Sequence, residues 1–170
     1  MDESLFPGSI LDGIVPSLPD GLCLRPLQLG DYHKGYLTVL ESLTVTGEYT
    51  FEVFEKQFRA MKTSTPHRDY IVVIEDLSTG KIVGSATLEI GMKFIRGAAL
   101  RGRIEDVVVA PEKRGLKLGA VLLECLNSLS EKLTPYKVSL ECRDKLIDFY
   151  GRFGFRRVGN NYLEHERRFG

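Results

Sequence analysis

Val107-Val108-Val109-Ala110-Pro111-Glu112-Lys113-Arg114-Gly115-Leu116-Lys117-Leu118-Gly119 is the stretch on which the reading of the fold turns. Three successive valines favour a strand, and Pro111 stops it. Downstream, Leu118, Val121, Leu122, Cys125, Leu126, Leu129 and Leu133 recur at the spacing of one helical face, and Pro135 closes the pattern. A strand therefore runs through a glycine-containing turn into a long amphipathic helix. Such a turn leaves backbone N–H groups unpaired, and the helix dipole adds partial positive charge. That combination suits a phosphate or pyrophosphate. Gly115 and Gly119 permit close backbone approach, while Lys113 and Arg114 add charge. The same elements, with glycines serving packing and cations merely solvated, would bind nothing. The stretch is neither a Walker loop nor a Gly-x-Gly-x-x-Gly fingerprint.

Working outward, Arg103 to Val109 reads as one strand with two adjacent acids, Glu105 and Asp106, beside an apolar run. Neighbouring strand positions face opposite sides, so one acid can line a site while the other braces it. Tyr70 to Glu75 and Lys81 to Ile90 form an antiparallel hairpin around Leu77-Ser78-Thr79-Gly80, whose glycine accepts a positive φ. Leu22 to Arg25 is a short first strand. Asp31 caps a helix to about Leu43, and Thr50 caps another bearing Phe51, Phe54, Phe58 and Met61. Tyr136 to Cys142 alternates as a strand with an acid, Glu141, in an otherwise apolar setting. Asp144 opens a short helix through Phe149 and Tyr150 that Gly154 ends, and Phe155 to Val158 and Asn161 to Arg168 read as two last strands. The order β-α-α-β-β-β-α-β-α-β is that of a mixed α/β domain. Residues 1–20, with three prolines, read as an arm that docks on the domain or on a partner.

The chain has 170 residues, 43% of them hydrophobic, which suits one soluble domain with a core that needs no staples. Lys+Arg and Asp+Glu are both 23, so the formal charge is zero, which argues against a grip on nucleic acid or an anionic membrane as the main task. Cys23, Cys125 and Cys142 are far apart, without metal-ligand spacing to a histidine. No basic-then-apolar leader, membrane-length apolar run or Asn-x-Ser/Thr acceptor occurs. A reducing, cytoplasmic setting and a metal-free site are the expectation. Tyr150 alone would pass for a core tyrosine with a satisfied hydroxyl, and scattered cations such as Lys93, Arg96, Lys137 and Arg168 for ordinary surface.

A family resemblance changes that weighting. Arg114-Gly115-Leu116-Lys117-Leu118-Gly119 resembles the Arg/Gln-x-x-Gly-x-Gly/Ala pyrophosphate loop of the GNAT (GCN5-related) N-acetyltransferases, with Lys117 where the middle glycine is usual. Arg101 to Val109, Tyr136 to Cys142, Phe149 to Phe155 and Arg167-Arg168-Phe169 resemble the branch of that family that acetylates D-glucosamine 6-phosphate. The resemblance implies a mixed, mostly antiparallel sheet of about six to seven strands flanked by about four helices, occupying residues 21–170. It implies acetyl-CoA as co-substrate, held by Val107, Val108, Val109, Arg114, Gly115, Leu116, Lys117, Leu118, Gly119 and Ala120, with Glu141 and Tyr150 beside the reacting group.

For the sugar it implies Glu105 and Asp106 on the hydroxyls and amine, and Thr44, Lys93, Phe94, Ile95, Arg96, Tyr136, Lys137 and Arg168 around the phosphate, with Arg167 the second choice. Arg168 is expected to reach the neighbouring site of a homodimer. Tyr150 is expected to serve the departing thiolate, a Val107 N–H the thioester carbonyl, and Glu141 the amine. An acetyltransferase of the same fold acting on another amine, or a silent acyl-CoA-binding module, are the alternatives.

Overall fold

A computed structural model of the chain describes residues 3–165. One sheet runs in the order β1 (Leu22–Pro26), β2 (Asp69–Asp76), β3 (Lys81–Met92), β4 (Leu100–Val109), β5 (Val138–Ser139). The first four are antiparallel neighbours, and β5 lies parallel to β4. A parallel neighbour needs a crossover, which the helix α4 (Leu118–Leu133) supplies. The other helices are α1 (Tyr36–Glu41), α2 (Phe51–Lys62), the single turn α3 (Ile95–Ala98) and α5 (Ile147–Gly151). Arg96 and Gly97 in α3 have φ of +58° and +70°, so this segment is a left-handed turn rather than a helix. Among the described residues, no helix is long and apolar enough to cross a membrane.

The apolar stripe of α4 does what its spacing predicts. Leu118, Val121, Leu122, Cys125, Leu126 and Leu129 are buried, and the helix packs across β3 and β4. Gly84 on β3 lets it come close: a Cβ there would lie 3.6 Å from Leu122 Cδ1. Val72, Val73, Ile74 and Leu88 complete the centre of the core, with Phe54 and Phe58 contributed by α2. Burial pushes the Cys125 thiol up to about 11, as befits a small core residue. Leu5, Phe6 and Leu11 of the N-terminal arm are buried in the same core. The Leu5 N–H donates to the Leu27 carbonyl at 2.8 Å, and Lys132 Nζ donates to the Ile10 and Asp12 carbonyls at 3.1 and 2.8 Å.

The structure departs from the sequence expectation in three places. First, Asp31 does not cap one helix reaching Leu43. A 3-10 turn (Leu29–Lys34) ends at Gly35, whose φ of +81° breaks the path before α1. Asp31 sits inside that turn, fully buried; its carboxylate accepts from the Gln28 N–H and the Arg25 guanidinium at 2.7–2.8 Å. Arg25 also donates to Glu75 at 2.6 Å, and Lys34 to Glu75 at 2.8 Å. A buried carboxylate is tolerated only when paired in this way.

Second, the strand expected from Tyr136 to Cys142 is reduced to β5, because only Gly102↔Val138 and Arg103↔Ser139 are rungs. Third, the sheet has five strands among the described residues rather than six or seven, the end of the strand expected from Asn161 to Arg168 lying outside them. Phe155 to His165 forms no strand, and Arg156 to His165 lies exposed, with no strand beside it in the chain.

Candidate active site

The site is built where β4 and β5 part. On β4, Glu105 pairs with Thr87 and Val108 with Ser85, so one extra residue is inserted on the β4 side. Asp106 takes up the slack at φ +52°, an unusual value for a residue with a side chain. Ile104 and Val108 stay buried while Asp106 is exposed, so the bulge keeps a carboxylate out of the core that strict alternation would have turned inward. Neither Asp106 nor Val107 has a rung to β3, and the β5 ladder stops at Arg103. From Ile104 to Val109, one edge of β4 faces no strand among the described residues, an opening that an extended ligand can pair with.

Across this opening the acids come together. Arg103 Nε donates to Glu105 Oε1, and Arg103 Nη2 donates to Glu141 Oε1. Glu141 is therefore not an acid inside a strand: it lies exposed just beyond β5, joined through Arg103 to a carboxylate of β4. Burial opposes the charge of Arg103, yet hydrogen bonding by Glu105 and the attraction of Glu141 hold its pKa above the usual arginine value. Arg103 was not singled out from the sequence. The signal was available: Arg103 and Glu105 are two apart on a strand, hence on one face.

Tyr150 on α5 is buried among Phe149 and Phe155, edge-on to both. Burial first, then the nearby Cys142, pushes its phenol above the ordinary value. It therefore stays protonated at neutral pH, as a proton donor must. Phe149 links α5 to the start of α4, where a Cβ at Gly119 would lie 3.6 Å from Phe149 Cζ.

The turn before α4 has the backbone an anion needs. Gly115 has φ +94° with open space around it, and Lys117 enters the helix at φ +59°. The N–H groups of Leu118 and Gly119 start the helix and have no intrahelical acceptor. Arg114, Leu116 and Lys117 are exposed, and Ala120 is half-buried; the side chain of Leu118 belongs to the core, which leaves its backbone for a ligand. Val107 and Val109 are half-buried and Val108 is buried, so the valines too offer chiefly main chain. The loop thus fits a pyrophosphate. One cation is otherwise engaged: Lys113 Nζ donates to Asp76 at 2.7 Å, which ties the loop to the β2–β3 hairpin.

At the other end of the β4–β5 ladder, three of the residues expected around a phosphate meet. The Arg96 guanidinium and Lys137 Nζ lie 5.9 and 5.6 Å from the Tyr136 ring centre. Lys93, Phe94 and Ile95 are exposed in the adjoining turn, and the Lys93 N–H donates to the Ala99 carbonyl at 3.1 Å. Thr44 is exposed between α1 and α2, with no contact to this cluster among the described residues. Arg167 and Arg168 lie outside the described residues.

Residues 36–155 match the acetyltransferase (GNAT) family model. The chain belongs to this family. Acetyl-CoA is the family's co-substrate, and the loop described above fits its pyrophosphate. A probable glucosamine 6-phosphate N-acetyltransferase of Drosophila melanogaster is 41% identical over 81% of this chain and 62% of its own length, so the chain spans under two thirds of that relative. A glucosamine 6-phosphate N-acetyltransferase of Dictyostelium discoideum is 34% identical over 82% of this chain and 88% of its own. The crystal structure of glucosamine-6-phosphate N-acetyltransferase from Arabidopsis thaliana superposes with a TM-score of 0.77 at 33% identity, covering 88% of this chain and 99% of that one.

Proposed function

We propose that this acetyltransferase moves the acetyl group of acetyl-CoA to the amine of D-glucosamine 6-phosphate, giving N-acetyl-D-glucosamine 6-phosphate on the route to UDP-N-acetylglucosamine. The observation that carries this reading is the layout of the β4–β5 ladder: carboxylates stand at its parted end (Glu105, Glu141), and the Arg96–Tyr136–Lys137 cluster stands at its other end. A substrate with an amine at one end and a phosphate at the other matches that polarity. The activities for which the Drosophila, Dictyostelium and Arabidopsis relatives are named point the same way.

Attack is direct, within a ternary complex. Glu141, with Glu105 joined to it through Arg103, accepts the proton that frees the amine. The nitrogen attacks the thioester carbon, and the Val107 N–H, in the unpaired bulge, donates to the carbonyl oxygen as negative charge grows there. As the C–S bond breaks, Tyr150 gives its proton to the sulfur, and the proton lost by the new amide restores the phenol. Lys93, Phe94, Ile95, Arg96, Tyr136 and Lys137 hold the phosphate. The same reading makes the protein a cytoplasmic homodimer in which Arg168 of the partner subunit completes the phosphate site. The exposure of Tyr162 (62%) and Leu163 (90%) supports it, since it leaves apolar surface near the C-terminus for another chain to cover.

The test is free-thiol release from acetyl-CoA by the purified protein. Release should require D-glucosamine 6-phosphate and fail with glucosamine or glucose 6-phosphate. Equal release with glucosamine would overturn the phosphate assignment, and acetyl-enzyme exchange without sugar would overturn direct attack.

A further inference from the structure

Resting on the acetyl-transfer reading above, we infer that Arg103 is a positioning residue: its guanidinium, bonded to Glu105 on one lip and Glu141 on the other, fixes the two carboxylates that receive the amine. Its place in the fold makes this specific. Arg103 is the last residue of β4 with a rung to β5, opposite Ser139. Past this rung β5 ends, and among the described residues no further rung joins the two segments. Arg101, two residues back on the same face, donates to Ser139 Oγ at 3.3 Å, so the ladder up to that point is braced. Beyond it, Glu141 lies on an exposed segment with neither strand nor helix to fix it. The contact with Arg103 is the hydrogen bond that ties its side chain to the sheet among the described residues.

Two consequences follow from elementary charge and geometry. Glu105 and Glu141 repel each other, and an opening lined by both would spread unless a cation lay between them. One guanidinium against two carboxylates leaves a net charge of about −1 at neutral pH, the complement of one substrate ammonium. The planar fork of arginine can serve two carboxylates from different nitrogens at fixed angles; the point charge of lysine cannot. The pairs are about 40% exposed on each side, so the contribution to folding is small and the effect falls on the site's geometry.

The experiment compares wild type, Arg103→Gln and Arg103→Lys in the thiol-release assay with acetyl-CoA and D-glucosamine 6-phosphate. Melting temperature and acetyl-CoA Kd are measured on the same preparations. Misplacement of reacting groups by about 1 Å can cost on the order of 100-fold, so the Gln variant should lose roughly 10- to 100-fold in kcat. Its melting temperature and acetyl-CoA Kd should stay near wild type. The Lys variant, which restores charge without the fork, should recover only part of kcat. A Gln variant with wild-type kcat, a Lys variant fully equal to wild type, or a loss confined to melting temperature or acetyl-CoA Kd each overturns the positioning role. A wild-type chain inert toward D-glucosamine 6-phosphate instead sinks the substrate reading and the inference with it.

Discussion

Lys117 stands where the family loop usually carries glycine, and its backbone shows what that substitution costs. It has φ +59° and ψ +24°, and its carbonyl accepts from the N–H groups of Ala120 and Val121 at 3.0 and 3.2 Å. The start of α4 therefore holds it in the left-handed region, where a residue with a Cβ loses about 1–2 kcal/mol. Its side chain is exposed and meets no hydrogen-bond or ion-pair partner among the described residues, so nothing offsets the strain locally. Lys117→Gly removes it. The gain is reduced by the extra freedom glycine gives the unfolded chain, about 0.4–1 kcal/mol. The net expectation is stabilisation by about 0.5–1 kcal/mol. For a chain of this size that raises the melting temperature by roughly 1–4 °C. Lys117→Ala is the control, since it removes the same amine but keeps the Cβ and the strain. Thermal unfolding without ligand reads both. A Gly variant that melts no higher than the Ala variant would refute the reasoning.

Tyr150→Phe removes the proton donor while keeping the ring; kcat should fall by about 100-fold, near the lower end for a positioned acid, with acetyl-CoA Kd unchanged by titration calorimetry. Gly102→Ala puts a Cβ 3.0 Å from Val138 Cγ2 and 3.4 Å from Leu88 Cδ1, and overpacking at that rung should cost about 1–3 kcal/mol in urea unfolding. Burial opposes ionisation of Glu75, but hydrogen bonds from Lys34 and Arg25 outweigh it, and Lys113 and Ser78 hold Asp76 well below the usual carboxylate range. Both carboxylates thus add stability that is full above about pH 4–5 and fades as acid protonates the folded state. Asp76→Asn should flatten the acid side of the stability profile, and an unchanged acid limb would contradict the pairing.

Much of the fold was legible because local periodicity is physically sufficient to form it. The stripe from Leu118 to Leu133, the turn ending in Gly80 and the run from Phe51 to Met61 each became the element expected. Helix continuity failed at Gly35, where a single left-handed residue divides what hydrophobic spacing alone joins. The strands expected after Phe155 are absent as far as His165, the last described residue, for a different reason: a strand exists only against a partner, and the alternation of a sequence does not say where that partner is. The site residues followed the same division. The sequence placed Tyr136 and Lys137 near one another, and the fold added Arg96 from a distant turn.

What the amino-acid order determined by itself is what depends on neighbours in the chain. That includes the amphipathic helix, the glycine-bearing anion turn before it, the hairpin and the pair of adjacent acids. What only the tertiary structure decided depends on residues meeting across the sheet. The one-residue bulge of β4 turns Asp106 outward and leaves Val107 without a β3 rung. The parting of β4 from β5 opens an edge, and Arg103 spans it to Glu141, 38 residues away. Lys113 is withdrawn from the anion loop by Asp76, 37 residues distant. Charge and spacing along a chain set which groups are available; the closed register of the sheet sets which of them face each other.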